Sequence, residues 1–234
     1  MTSNRLRRPR RLVAVASLCV LALAGCGTDL HPGDAVVVNG TAISQAQVDS
    51  LVTAVCNYQK VEREAQGASK PSTSVAFLRS RLASDLISFK LKDKAAQDLG
   101  LEVTPAEVAR LAGQSTVPKG LDGQDAGLIR GYFEDVARSN LEQALIGAHL
   151  KNPKVTSAEK VTQADLNAAT PYMTAFAKKQ HVTVNPSYGR WDGSSNQAVS
   201  GSLSDPVSAA AKAQLSSASK LDAPAGTPAS QVCG

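Results

Sequence analysis

Five stretches of the chain place apolar residues at helical spacing, and this pattern limits the fold more than any other feature of the sequence. Apolar residues three and four positions apart form one face of a helix, and that face must pack against something. Several of these stretches open with Ser or Thr followed three residues later by Gln, Glu or Asp, which is typical of a capped helix start. The sequence therefore predicts a mainly α fold with about five helices. They are expected at about 44–66, 75–99, 104–111, 124–150 and 162–177.

Two short runs with the character of β-strands lie at opposite ends of this helical region. Val36 and Val38 belong to the first run, which an Asn-Gly turn signal ends. Val182 and Val184 belong to the second, which Asn-Pro ends. The runs match in length and pattern. We expect them to pair into a small two-stranded sheet, so that the late strand closes the domain that the early strand opens.

A polar and aromatic cluster follows the second strand. It contains Tyr188, Arg190, Asp192 and the only tryptophan, Trp191. Such a cluster is compatible with a catalytic loop, a ligand clamp or a piece of scaffold. We favour a structural clasp, in which Tyr188 and Trp191 pack over the core beside the small sheet, while Arg190 and Asp192 hold the exit turn.

The first 26 residues have the pattern of an exported lipoprotein. Five arginines at 5–11 precede the apolar run 12–24, whose 13 residues are too few for a membrane span of about 20. The run ends in Leu-Ala-Gly-Cys, a lipobox in which Cys26 would accept the lipid and its palmitate. We expect a signal peptide at 1–25, a lipid-anchored tether at 26–34, and a location on the outer face of the bacterial cytoplasmic membrane.

The charge of the chain does not indicate nucleic-acid binding once the signal peptide is set aside. The whole chain has 25 Lys and Arg against 20 Asp and Glu, but five of the arginines belong to the signal peptide. The rest is balanced at 20 against 20. A high pI can favour nucleic acid as a partner, but here the basicity serves targeting.

Two cysteines remain after the signal peptide and the lipid acceptor are accounted for. Cys56 and Cys233 can form one disulfide, as is common in exported chains. Two free thiols, or an intermolecular bond through Cys233, are the alternatives.

The composition changes after residue 193. Ten serines and nine alanines stand among the last 41 residues, with no aromatic residue and few charges. Such a segment cannot bury enough apolar surface to offset the entropy lost on ordering. We expect a helical core at 35–193 and a largely disordered tail at 194–234.

The sequence contains no recognisable catalytic motif. His31, His149 and His181 are far apart and lack the local spacing of a metal site. A nucleophile elbow, a phosphate-binding loop and a dinucleotide fingerprint are absent from the sequence. We therefore expect no catalytic residue, no metal and no cofactor.

Three short motifs, in this order, resemble a known family. They are AVVVNGTAISQAQVDSLV at 35–52, LGLEVTPAEV at 99–108 and VTVNPSYGRWD at 182–192. Together they are similar to the N-terminal core of SurA-type periplasmic chaperones and of PrsA-type foldase lipoproteins. The resemblance covers about 35–192 and implies a chaperone-like core that binds peptides.

The same resemblance bears on catalysis. In that family, parvulin-type prolyl isomerase domains lie between the helical core and its closing helix and strand. The corresponding gap in this chain would be 151–161, only 11 residues, whereas a domain needs at least about 50. The resemblance therefore implies a protein without a parvulin domain and without isomerase activity.

These observations predict a membrane-anchored, chaperone-like lipoprotein with no enzymatic activity. Its partners would be unfolded or newly exported polypeptides, bound in an apolar groove between helices. The alternative is that the core uses every apolar face and leaves no groove open. Two other functions remain open: a scaffold for one dedicated cell-envelope partner, and a peptidyl-prolyl isomerase. The sequence does not indicate an oligomeric state.

Overall fold

The computed structural model describes residues 30–67, 73–193, 198–199, 221–223 and 227–233. The predicted signal peptide lies outside these residues, as do residues 26–29 of the predicted tether, with Cys26 among them, and much of the predicted tail. Five α-helices are present in the described part, in agreement with the predicted fold class. They are α1 (Gln45–Ala65), α2 (Val75–Asp98), α3 (Pro105–Ala112), α4 (Gly123–Lys151) and α5 (Gln163–Ala177).

The predicted capping signals begin three of the helices. The Ser44 hydroxyl accepts a hydrogen bond from the Gln47 amide at 3.1 Å and starts α1. Thr104 and Glu107 form a complete capping box at α3, as Thr162 and Asp165 do at α5. Each cap satisfies amides that the first turn of a helix leaves unpaired, so these starts are set by local sequence.

Short β-strands accompany the helices. They are β1 (Asp34–Val38), β2 (Thr41–Ser44), β3 (Thr73–Ser74), β4 (Val182–Val184), β5 (Arg190–Trp191), β6 (Ala198–Val199) and β7 (Val232–Cys233).

The early and the late strand pair as predicted. β1 and β4 are antiparallel, with Val36 opposite Val184 and Val38 opposite Val182. The sheet differs from the prediction in having a third strand, since β2 pairs with the other edge of β1. The cause is the Asn39-Gly40 turn, in which both residues have positive φ, 50° and 79°. That conformation favours a two-residue hairpin, so the chain folds back before α1 begins.

Two apolar clusters form the core, and α2 contributes to both. The first joins the sheet to α1 and to the N-terminal part of α2. The second joins the C-terminal part of α2 to α3, α4 and α5. The apolar faces predicted from helical spacing are largely used in these clusters. Among the described residues the exposed large hydrophobic side chains are Leu150 and Leu221.

The helices α4 and α5 pack tightly against each other at Gly147. A Cβ atom added there would lie 1.9 Å from the backbone oxygen of Asp165. One turn to either side, Gln143 donates a hydrogen bond to the Leu166 carbonyl at 3.0 Å, and Lys151 pairs with Asp165 at 2.9 Å. The Lys151 and Thr162 hydrogen bonds lower the pKa of Asp165 to about 2. The start of α5 is thus held against the backbone of α4.

The end of the chain returns to the core. Cys233 is joined to Cys56 of α1 by a disulfide, with Cα atoms 4.7 Å apart, and is 1% exposed. Beside it, β7 pairs with β3, and the Ser74 amide donates to the Leu221 carbonyl at 2.8 Å. The predicted tail therefore includes segments, at 221–223 and 227–233, that lie against the core. Its remaining residues lie largely outside those described.

Within the described residues, no helix combines the length and the apolar character that a membrane span requires.

Candidate functional site

Two adjoining cavities open between α2 and α4. The first has a volume of about 340 Å³, and the second, about 470 Å³, continues towards the segment 100–103. Asp93 of α2 and Arg138 and Glu142 of α4 line both, so we describe the two together as the α2–α4 groove. Residues one turn apart on the facing sides of two packed helices produce this arrangement.

The lining of the α2–α4 groove is mixed. Ile43, Leu86 and Phe89 supply apolar surface in the first cavity. Charged side chains surround that surface, which differs from the apolar groove that the sequence predicts. The physical reason is that the core uses most of the apolar residues, and the polar edges of both helices are left to face the opening. The charged lining residues are Lys90, Asp93, Glu102, Asp135, Arg138 and Glu142.

Glu142 is the most unusual group in the groove. It is only 4% exposed, and within the described part of the chain it makes no hydrogen bond and no ion pair. Burial and the charge of Asp93 together raise the pKa of Glu142 to about 7, against the opposing charges of Arg138 and Lys92. A carboxyl group in such a place favours its neutral form unless a cation or a donor approaches it.

Ser139, one turn from Glu142, is also buried without a partner. The residue is 1% exposed, and its hydroxyl oxygen has no hydrogen-bond partner among the described residues. It lines the first cavity of the groove. An unpaired buried hydroxyl destabilises a fold by about 1–3 kcal/mol, so such groups are rare in native proteins.

A third cavity, of about 330 Å³, lies on another side of the α2–α4 contact. The Tyr132 hydroxyl there donates to the Asp85 carboxylate at 2.9 Å, and Arg81 contacts the same carboxylate at 3.2 Å. Burial raises the pKa of Asp85 and of Tyr132, and it lowers the pKa of Lys92. Tyr132, Asp85 and Arg81 satisfy one another, which indicates a structural network joining the two helices.

The aromatic cluster after β4 is placed on the core. Tyr188 is 3% exposed, and its hydroxyl donates to Asp49 of α1 at 3.1 Å. Trp191 is partly buried against the same apolar cluster. The Arg79 guanidinium lies 5.7 Å from the centre of the Tyr188 ring and pairs with Asp49 at 3.0 Å. Burial and Asp49 raise the pKa of Tyr188 to about 12, so the phenol stays protonated.

The charged members of this cluster lie in β5 and just beyond it, and their role in holding the exit turn stays a prediction. Arg190 is exposed and contributes its backbone to β5, opposite Val199 of β6. Asp192 is exposed just beyond β5. The ion pair beneath Tyr188 comes from Arg79 and Asp49, which sequence reasoning missed, because residues so far apart carry no local signal of their contact.

The three histidines stay in separate surroundings. The His149 ring nitrogen lies 3.0 Å from the Val155 carbonyl oxygen, and His31 pairs with Asp34 at 3.6 Å. In the part of the chain that the structure describes, no group of three or more His, Cys, Asp and Glu side chains is suited to a metal ion. The absence of a metal or cofactor stays a prediction.

The first part of the chain is similar to a known domain family. Residues 6–116 match the family model of the SurA-like N-terminal domain. Over this range, just under half of its length, the chain is similar to a SurA-like N-terminal domain. Two of the three motifs that suggested this resemblance, at 35–52 and 99–108, lie inside the match, whereas the third, at 182–192, lies beyond it.

The SurA-like match covers β1, β2 and α1 to α3, while α4, α5 and β4 complete the fold beyond it. Only the α2 side of the α2–α4 groove lies inside the matched range, because α4 follows it. No curated protein and no solved structure matches the chain. The family suggests a chaperone-like folding helper, and the chemistry of the groove has to be argued from this chain's own residues.

Proposed function

We propose that this protein is a chaperone-like lipoprotein that binds unfolded or newly exported polypeptides in the α2–α4 groove. The SurA-like N-terminal domain is the observation that carries the proposal. The groove supports it, because a cavity with Ile43, Leu86 and Phe89 in its lining offers apolar surface to an extended chain. Few groups in the lining require one particular client sequence, so binding would be broad and reversible.

The proposal includes binding without catalysis. The described groove brings together carboxylates, two cations and a serine, and no nucleophile–base pair within hydrogen-bond reach was found among its residues. A scaffold for one dedicated cell-envelope protein is the alternative function, and prolyl isomerisation is a further one. The experiments below separate these functions.

We expect the full-length chain, held in phospholipid nanodiscs, to slow the aggregation of several unrelated denatured proteins. Light scattering after dilution from denaturant would measure the effect, with empty nanodiscs as the blank. The variant Gln47→Trp should lose most of the protection, because Gln47 is exposed and lines the first cavity, where a tryptophan would occupy the opening. Gln124→Trp is the matched control, since Gln124 is exposed on α4 away from the groove.

Other outcomes would contradict this function. Protection of no client, with tight capture of one native envelope protein, would favour the scaffold. Faster cis–trans exchange of a proline-containing peptide would show an isomerase and would overturn the interpretation of the short connection between α4 and α5.

We further propose that Cys26 carries the lipid anchor on the outer face of the bacterial cytoplasmic membrane. Replacing Cys26→Ala is expected to move the chain from the membrane fraction to the soluble fraction and to abolish incorporation of labelled palmitate. Cys19→Ala is the matched control, because Cys19 belongs to the predicted signal peptide and would be removed with it. Equal membrane retention and equal labelling of both variants would disprove the assignment.

A further inference from the structure

We infer that the α2–α4 groove holds a subsite for one lysine or arginine side chain of the bound polypeptide, and that Glu142 is its anionic partner. The inference rests on the proposed function, which it makes more specific by naming the kind of client residue. It does not follow from the family, because α4 lies beyond the matched residues.

The first reason is that Glu142 is buried and unpaired. The residue is 4% exposed and lines both cavities, and its carboxylate makes no hydrogen bond or ion pair with a described residue, so the donors it can meet are those that enter the groove. A buried carboxylate is strongly destabilising without a partner, so a site of this kind gains most from a ligand that supplies one. The adjacent Ser139 hydroxyl, 1% exposed and unpaired, is a second polar group that a ligand's donor could satisfy.

The second reason is the sign of the charge around the opening. The two cavities are lined by four carboxylates and two cations. Asp93, Arg138 and Glu142 line both cavities, so a cation entering from either side meets two carboxylates and one resident cation. A negative opening of this kind attracts a cationic side chain and repels an anionic one.

The third reason is the apolar part of the lining. Leu86 and Phe89 stand in the same cavity as Glu142. Lysine and arginine have long aliphatic stems that pack on apolar surface while the charged end reaches a polar group. A basic residue within an apolar client segment fits this combination better than a purely apolar one, which would leave Glu142 unpaired.

Acidity should weaken the subsite. The charged groups that face Glu142 are Lys92 and Asp93 from α2, Arg138 and Asp135 from α4, and Glu102 from the segment after α2. With the pKa of Glu142 at about 7, protonation between pH 8 and pH 6 removes its charge, while a client lysine stays charged throughout. Preference for a basic residue should therefore fall as the pH is lowered through this range.

The test compares three short labelled peptides that differ only at one central position, which is lysine, norleucine or glutamate. Binding to the full-length chain in nanodiscs of uncharged phosphatidylcholine is followed by fluorescence anisotropy at pH 8. We expect the lysine peptide to bind about tenfold more tightly than the norleucine peptide, as a charge-assisted hydrogen bond would produce. The glutamate peptide should bind least tightly.

The variant Glu142→Gln should abolish the lysine preference and its dependence on pH while binding the norleucine peptide at least as well. Glu134→Gln is the matched control, because it removes the same charge from an exposed position of α4 outside both cavities. Circular dichroism confirms folding of both variants, and Asp93→Asn provides a second variant that should reduce the preference in part.

Equal affinity for the lysine and norleucine peptides would overturn the subsite and leave the proposed function intact. A lysine preference that survives in Glu142→Gln would also overturn it, because another group would then hold the cation. Failure of all three peptides to bind would overturn the subsite together with the proposed peptide-binding function.

Discussion

Replacing Gly147 by alanine is expected to destabilise the protein by about 3 kcal/mol, through overpacking of the contact between α4 and α5. The added Cβ would stand 1.9 Å from the Asp165 backbone oxygen and 3.0 Å from the Ala169 backbone nitrogen. Real Cβ atoms essentially never come within 3.0 Å of a heavy atom outside their own residue and its chain neighbours. The neighbours are backbone atoms, so no side-chain rotation relieves the overlap. The helices must separate by about 1 Å or more.

Separation of the helices would also weaken contacts on either side of Gly147. Gln143 and Lys151 bond to the first turn of α5 from positions one turn before and one turn after it. Leu145, Ile146 and Met173 are buried in the same cluster, and their packing depends on the present spacing of the helices. The expected loss therefore exceeds the gain in helix propensity that alanine brings, which is about 1 kcal/mol.

The same helix contains two matched controls. Gly127 and Gly131 have nothing within 4 Å of an added Cβ. Alanine at either position should stabilise the protein by about 0.5–1 kcal/mol, because it reduces the backbone entropy that folding removes. Urea unfolding followed by circular dichroism measures all three variants. A result for Gly147→Ala equal to that of the two controls would show that α4 and α5 are farther apart than described.

Loss of the Cys56–Cys233 disulfide is expected to destabilise the protein by about 3 kcal/mol. The bond joins residues separated by 177 positions in sequence, so it restricts a very long segment of the unfolded chain. In the folded protein it holds β7 beside β3, and Cys233 is part of the first apolar cluster. For a chain of this size, 3 kcal/mol corresponds to a fall in Tm of about 10 °C.

Thermal unfolding with and without a reducing agent measures this effect. The double variant Cys56→Ser with Cys233→Ser should melt at the lower temperature and should not respond to the reductant, which makes it the control. Hydrogen exchange at Thr73, Ser74 and Val232 should speed up in that variant, since these residues pair across β3 and β7. Coincident melting of the oxidised and reduced protein would contradict the prediction, as would a reduction-sensitive dimer on a denaturing gel.

The elements of this fold were predictable where their causes are local. The boundaries of α1 to α5 follow from apolar spacing and from caps such as Ser44 and Thr104, whose partners lie three residues away. The pairing of β1 with β4 was predictable for a related reason, because two short matching runs at the ends of one domain each need a partner. The third strand, β2, was missed, although the positive-φ turn at Asn39-Gly40 was its signal.

The candidate site was less predictable than the fold. Spacing alone suggested apolar faces that could form an open groove, but it could not show how much of each face the core would use. The folded chain buries Leu82, Leu86 and Leu91 and leaves the charged edges of α2 and α4 to line the opening. Glu142 looked like any other acidic residue on a helix, since its lack of a partner depends on residues far away in sequence.

Local pattern was thus enough to specify the helices, their starts, the first and last strands of the main sheet and the cysteines available for a disulfide. Only the tertiary structure distinguished Gly147 from the other two glycines of α4, and Glu142 from Glu134. In the sequence, residues of one type on the same helix look alike. What separates them is the distance to a neighbouring helix and the water that this neighbour removes. Both quantities arise when distant segments pack, and no short stretch of sequence carries them.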